Sequence, residues 1–158
     1  MVNFTSGNLF DSNCEYLINT VNCEGVMGKG IALDFKKKYP DMFLDYVEKC
    51  KNGLVLPGIP YVWSNDNLFN SLRIINFPTK NEWKKPSNIS FIETGLDWMV
   101  DYFKEKIDAN IAVPPLGCGN GKLNWNKVKS LIYKKLQPLE AEFYVFEPGG
   151  NSLNQWGF

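Results

Sequence analysis

Tyr16-Leu17-Ile18-Asn19-Thr20-Val21 followed by Asn22-Cys23-Glu24-Gly25-Val26-Met27-Gly28-Lys29-Gly30 is the stretch on which the fold turns. Six residues of mostly branched and aromatic character run straight into a glycine-rich loop, which reads as a buried strand opening onto a tight connection. From Gly30 onward Ile31, Ala32, Phe35 and Tyr39 recur at helical spacing, with Asp34, Lys36, Lys37 and Lys38 turned outward. Strand, glycine loop, helix is the arrangement in which open α/β sheets receive ligands. Free backbone N–H groups at a helix start can meet a phosphate there.

The same arrangement occurs again downstream. Asn110-Ile111-Ala112-Val113 reads as a strand, Pro114-Pro115-Leu116-Gly117-Cys118-Gly119-Asn120-Gly121 as a second glycine loop, and Asn124 caps a helix carrying Trp125, Val128, Leu131, Ile132 and Leu136. One such loop is as readily a plain tight turn, but a pair suits a diphosphate. Neither loop has the Gly-Lys-Ser/Thr of a P-loop, and the first lacks G-x-G-x-x-G, which disfavours triphosphate hydrolysis and a dinucleotide Rossmann site.

The remaining elements fill in an α/β alternation. Val2 to Thr5 forms a strand entering a turn at Ser6-Gly7-Asn8, and Pro40 interrupts before a helix over 41–51 with Met42, Phe43, Tyr46 and Val47 as its apolar stripe. Gly53 to Pro60 is a punctuated connection. Tyr61-Val62-Trp63 and Leu72 to Phe77 are strands separated by a turn at Asn65-Asp66-Asn67. Ser87 caps a helix with Ile89, Ile92, Leu96, Met99, Val100 and Phe103 on one face, and Glu142 to Phe146 is the last strand. The expected fold class is a three-layer α/β/α domain over residues 1–148 with a mixed, largely parallel sheet. The Gly- and Asn-rich segment from Pro148 to Phe158 reads as a loosely held tail or the start of a continuation.

Composition narrows the chemistry. The 158 residues fit one domain, and 44% hydrophobic with 22% charged residues argues against disorder. Seventeen basic residues balance seventeen acidic ones, so any nucleic-acid contact must be local. No apolar run can span a membrane and no signal peptide precedes the first strand, from which a cytoplasmic protein is expected. Cys14, Cys23, Cys50 and Cys118 form no C-x-x-C pair and read as reduced, packed thiols. The chain has no histidine at all, which excludes Ser-His-Asp and Cys-His catalysis and argues against a catalytic metal site. Chemistry is left to carboxylates, lysines, backbone groups or the substrate.

The string Asn19 to Ala32, with Gly7-Asn8-Leu9 before it and Pro114 to Gly119 after it, resembles the macrodomain family from about Val2 to Pro148. Ile75-Asn76-Phe77-Pro78-Thr79-Lys80 and Trp83 are similar to the branch of ADP-ribosyl glycohydrolases that act on DNA and serve as antitoxins, a branch shared with the terminal ADP-ribose protein glycohydrolase. The resemblance implies ADP-ribose binding by Gly7, Asn8 and Leu9; by Asn19, Thr20 and Asn22; by Gly25, Val26, Met27, Gly28, Lys29, Gly30 and Ile31 of the first loop; by Thr79; by Pro115, Leu116, Gly117, Cys118, Gly119, Asn120 and Gly121 of the second; and by Phe146 packed on adenine, although a plain core role is favoured for Phe146. It implies Lys80 and Asn22 as the catalytic pair, Asn22 orienting the distal ribose. Asn8 stands where most macrodomains have an aspartate for the adenine amino group, so the charge-assisted part of that contact is lost. Gly121 stands where the protein glycohydrolase has an aspartate, which favours a DNA base such as thymidine over a glutamate ester as acceptor.

Lys80 stabilises or protonates the departing group, or attacks as a free amine. Trp83, Lys84 and Lys85 form an aromatic-basic cluster able to contact single-stranded DNA, or a solvated turn. No metal or cofactor is implied. The implied partners are ADP-ribose or ADP-ribosylated single-stranded DNA and a cognate DNA ADP-ribosyltransferase toxin, with the chain itself a monomer. Two other readings stay open: a non-catalytic reader of ADP-ribose, and a hydrolase of ADP-ribose 1″-phosphate or O-acetyl-ADP-ribose.

Overall fold

The computed structural model describes residues 1–65 and 71–149. Most of the turn expected at 65–67 and nearly all of the tail from Pro148 lie outside the described residues. The elements run β1 (Val2–Thr5), a 3-10 turn (Leu9–Asp11), β2 (Tyr16–Val21), α1 (Gly30–Lys38), α2 (Pro40–Lys51), β3 (Tyr61–Ser64), β4 (Arg73–Pro78), α3 (Ile89–Phe103), β5 (Asn110–Val113), α4 (Trp125–Leu136) and β6 (Glu142–Phe146). The six strands form one sheet in the order β1-β6-β5-β2-β4-β3. Every pairing is parallel except β3 on β4.

Strand alternation divides the core in two. Tyr16 and Ile18 of β2, Ile75 and Phe77 of β4, and Phe143 and Val145 of β6 pack with Ile92, Leu96 and Met99 of α3 and with Val128 and Ile132 of α4. The opposite face sends Leu17, Val21 and Ile74 against Phe35 of α1 and Met42 and Tyr46 of α2. Helices thus cover both faces of the sheet, as expected for parallel strands.

Two polar residues interrupt the second face. Asn19 and Asn76 are directly paired across β2 and β4, both fully buried. The Asn19 amide donates to Asn76 Oδ1 at 3.1 Å, and the Asn76 amide donates to Tyr61 Oη at 3.0 Å. Among the described residues Asn19 Oδ1 has no partner.

Two local expectations are corrected and a third is extended. The helix α2 starts at Pro40 itself, because a missing N–H costs nothing at the first helical position. Asn88, not Ser87, caps α3, its Oδ1 accepting from Ser90 N at 2.9 Å; Ser87 is buried and bonded elsewhere. The 3-10 turn at Leu9–Asp11 continues the Gly7-Asn8 bend, with Asn8 Oδ1 accepting from Phe10 N at 3.0 Å.

The helix α3 rides close on β4. A Cβ at Gly95 would stand 2.1 Å from Phe77 Cζ in a fully buried contact. Gly95→Ala is therefore expected to cost about 1–3 kcal/mol by overpacking. A lowered urea midpoint at unchanged m-value is the signature to look for; an unchanged midpoint would contradict the contact.

Candidate functional site

The carboxyl ends of β2, β4 and β5 lie side by side, and the segments leaving them build one cleft. Backbone pairing between β2 and β4 continues beyond the strands: Thr79 N donates to Val21 O at 3.1 Å and Cys23 N to Asn81 O at 3.0 Å. Lys80 sits between these bonds, at the mouth of the first loop.

That loop is held from inside by Asn22, which is nearly buried. Its amide donates to Val26 O at 2.7 Å, and its Oδ1 accepts from Glu24 N at 2.9 Å. The Tyr46 hydroxyl, reaching up from α2, lies 2.8 Å from Asn22 O and 2.9 Å from Asn22 Oδ1. Beyond the loop, Lys29 offers α1 no side-chain cap, so first-turn N–H groups of that helix remain available to an anion.

The second loop is tied more by its backbone. Cys118 N donates to Pro115 O, Lys122 N to Gly119 O and Leu123 N to Gly117 O, at 3.1, 3.0 and 2.9 Å. Gly117 has φ +71, a conformation that favours glycine, and a Cβ there would also press on Leu123 Cδ1 at 2.7 Å and Ser87 Cβ at 3.1 Å. Ser87 N donates to Gly121 O at 2.9 Å and Ser87 Oγ to Thr79 Oγ1 at 3.2 Å. Ser87 thereby joins the second loop to the segment that carries Lys80.

The cleft has a volume of about 710 Å³. Thr20, Asn22, Val26, Gly28, Lys29 and Ile31 face it from one side, and Pro115, Gly117, Gly119, Asn120 and Gly121 from the other. Thr79, Lys80, Trp83, Lys84, Lys85 and Ser87 line it as well. Other residues expected to bind lie behind it: Asn19, Met27 and Leu116 are buried beneath the loops, and Gly25, Gly30 and Cys118 shape them without lining the space. The Met27 and Leu116 side chains pack in the core, and the Asn19 amide is engaged with Asn76. Gly7, Asn8 and Phe146 line a separate, more open hollow of about 410 Å³ with Tyr144 and Asp11. Leu9 is fully buried, so its side chain is core rather than ligand surface.

Charge in the cleft is one-sided. Lys29, Lys80, Lys84, Lys85 and Lys122 line it, and among the described residues no carboxylate does. Lys85 is ion-paired with Glu82 at 2.9 Å, and Lys84 Nζ lies 5.2 Å from the centre of the exposed Trp83 ring. Lys80 Nζ reaches Trp83 O at 3.4 Å. Partial burial, followed by the nearby positive charges of Lys29 and Lys122, pushes the Lys80 ammonium below the ordinary lysine range. Burial pushes the Cys23 thiol up to about 11 and the Cys118 thiol up to about 12, which keeps both protonated and poor as nucleophiles.

Among the described residues no cluster of three or more Cys, Asp or Glu is placed to hold a metal, and no helix is long and apolar enough to cross a membrane. Two positioning groups had escaped the sequence reading. Tyr46 stands in the apolar stripe of α2 by spacing, and only its placement under Asn22 reveals the hydroxyl's task. Ser87 carried a helix-cap signal that its neighbour Asn88 satisfies instead.

Residues 18–132 match the family model described as Macro domain. The chain belongs to the macro domain family. As a macrodomain it is 43% identical over 153 residues to a Mycobacterium tuberculosis protein named DNA ADP-ribosyl glycohydrolase, covering 96% of this chain and 44% of that one. It is 33% identical over 162 residues to a Thermosipho africanus DNA ADP-ribosyl transferase-DNA ADP-ribosyl glycohydrolase fusion protein, covering 93% of this chain and 42% of that one. The macrodomain spans less than half the length of these curated relatives. Among solved structures it is similar to the macrodomain of M. tuberculosis DarG, with a TM-score of 0.88 at 42% identity over 94% of this chain and 99% of that one. It is also similar to T. africanus DarTG in complex with ADP-ribose, with a TM-score of 0.83 at 36% identity over 91% of this chain and 41% of that one.

Tyr46→Phe removes the donor shared by Asn22 O and Oδ1. The expected loss is about 1 kcal/mol in stability, with faster amide exchange at Glu24 and Val26. Hydrogen exchange followed by mass spectrometry reads both, and exchange in the loop identical to the parent would refute the clamp.

Proposed function

We propose that this macrodomain binds ADP-ribose and hydrolyses its N-glycosidic bond to a base, thymidine in single-stranded DNA, as an antitoxin-type ADP-ribosyl glycohydrolase. The observation that carries the reading is the meeting, in one lysine-lined cleft, of two glycine loops and a half-buried lysine. The loop N–H groups and the open end of α1 receive the diphosphate, and lysines supply the counter-charge. Asn22, clamped by Tyr46, stands beside the distal ribose. Trp83, Lys84 and Lys85 at the rim meet the DNA through stacking and phosphate contacts. Gly7, Asn8 and Phe146 in the second hollow take adenine. The names of the M. tuberculosis and T. africanus relatives support the activity, and the fusion in the latter supports a DNA ADP-ribosyltransferase as cognate partner. A monomer acting in the cytoplasm fits this reading.

The bond from ribose C1″ to the base breaks with the electron pair leaving on the base, while positive charge builds on the ribose. Lys80, as ammonium, stabilises or protonates the departing base, and water adds to C1″. With no carboxylate lining the cleft, release of a covalent lysyl intermediate through a second-loop acid is disfavoured.

Incubation with thymidine-ADP-ribosylated single-stranded DNA tests the assignment through release of free ADP-ribose. Lys80→Ala is expected to slow release by about 100-fold or more, while ADP-ribose affinity stays within about tenfold. Binding without release by the parent would reduce the protein to a reader or point to a different acceptor.

The protonation state of Lys80 sets the pH profile. Its folded value lies below the ordinary lysine value of 10.5, so the ammonium is lost as pH rises through that lowered value. The rate kcat/KM is expected to hold near neutrality and fall on the alkaline side before an ordinary lysine would titrate. A rate that climbs with pH instead would mark Lys80 as a free-amine nucleophile and rule out the acid role.

A further inference from the structure

Thr79 lines the cleft next to Lys80 although it is only 2% exposed. Its backbone is fully engaged, the N–H with Val21 O and the carbonyl with Asn88 N at 3.2 Å. Its hydroxyl oxygen accepts from Ser87 Oγ at 3.2 Å. Ser87 has little freedom to do otherwise: it is 6% exposed, its N–H is fixed to Gly121 O, and its Oγ lies 2.1 Å from where a Cβ on Gly121 would stand.

A hydroxyl has one hydrogen and two acceptor directions. The Ser87 hydrogen fills one acceptor direction on Thr79 Oγ1, so the Thr79 hydrogen must point elsewhere. Among the described residues no protein acceptor takes it, and the open side of Thr79 is the cleft.

We infer that Ser87 is a positioning residue that turns the Thr79 hydroxyl hydrogen into the cleft, where it donates to a diphosphate or ribose oxygen of ADP-ribose. The inference rests on the reading of the cleft as an ADP-ribose site but not on the DNA acceptor. The two hydroxyls act in series: Ser87 donates to Thr79, and Thr79 donates to the ligand. Polarisation along such a chain strengthens the final bond. It also makes Ser87, which lines the cleft beside Thr79, a contributor to affinity through the Thr79 hydroxyl.

Calorimetric titration with free ADP-ribose, without DNA, tests the series. Thr79→Val keeps shape and loses the donor, and is expected to weaken binding about tenfold. Thr79→Ser keeps the donor and should stay within about twofold of the parent. Ser87→Ala preserves the backbone bond to Gly121 and is expected to weaken binding about threefold or more. The Ser87→Ala/Thr79→Val double variant should bind no more weakly than Thr79→Val alone, because the second hydroxyl acts only through the first. Affinity losses that multiply, or Ser87→Ala binding like the parent, would overturn the relay. If Ser87→Ala does not fold, the Thr79 pair decides, since equal affinity for Thr79→Val and the parent excludes the donor. A parent that fails to bind ADP-ribose overturns the cleft reading and the relay together, whereas a parent that binds ADP-ribose but releases none from DNA leaves the relay intact.

Discussion

The pairing of β2 with β4, carried past both strand ends, is the constraint on which the cleft depends. Two backbone bonds, Thr79 N to Val21 O and Cys23 N to Asn81 O, hold the start of the first loop against the segment bearing Lys80. On its other side β2 pairs with β5, which delivers the second loop. Three segments distant in sequence therefore share one rigid origin. A reactive lysine fixed by strand backbone is held more accurately than one on a free loop.

Electrostatics then follow from what the walls omit. The chain is neutral overall, yet among the described residues its cleft gathers five lysines and no carboxylate. An anionic ligand entering this space neutralises charges that otherwise repel one another. Burial first, and the charges of Lys29 and Lys122 second, hold the Lys80 ammonium below the ordinary lysine range. The preference for diphosphate is thus partly a relief of strain among like charges, in addition to hydrogen bonding from loop amides.

Much of this was legible in the residues. The glycine loops after Val21 and Val113 announced themselves by composition, and the apolar spacing of α3 and α4 followed helical periodicity closely. The sheet order was not legible, because parallel strands leave no local trace of which neighbour they choose. Boundaries drifted by a residue at Pro40 and Arg73, where competing local signals overlap. The binding residues divided along a physical line: loop backbones were predictable from glycine, but a side chain such as Asn19 or Met27 could not be assigned to cleft or core without the strand's facing. Tyr46 and Ser87 were hidden for the same reason, since a hydroxyl's partner lies far away in sequence. The separation of the Asn8 hollow from the main cleft likewise depends on how β1 and β6 sit at the sheet's edge.

The buried asparagine pair bears on how the sheet finds its alignment. Parallel strands of valine and isoleucine are nearly self-similar, so β4 could shift along β2 by two residues with its apolar faces still matched. Asn19 would then face Ile74 or Pro78 rather than Asn76, and two amides would be stranded in an apolar layer. At about 1–3 kcal/mol for each unsatisfied group, such a slip is penalised far more than its lost packing alone would require. Asn19 Oδ1, unpartnered even in the native arrangement, is the residual cost of a polar index mark that makes one alignment of the central strands distinguishable from its neighbours.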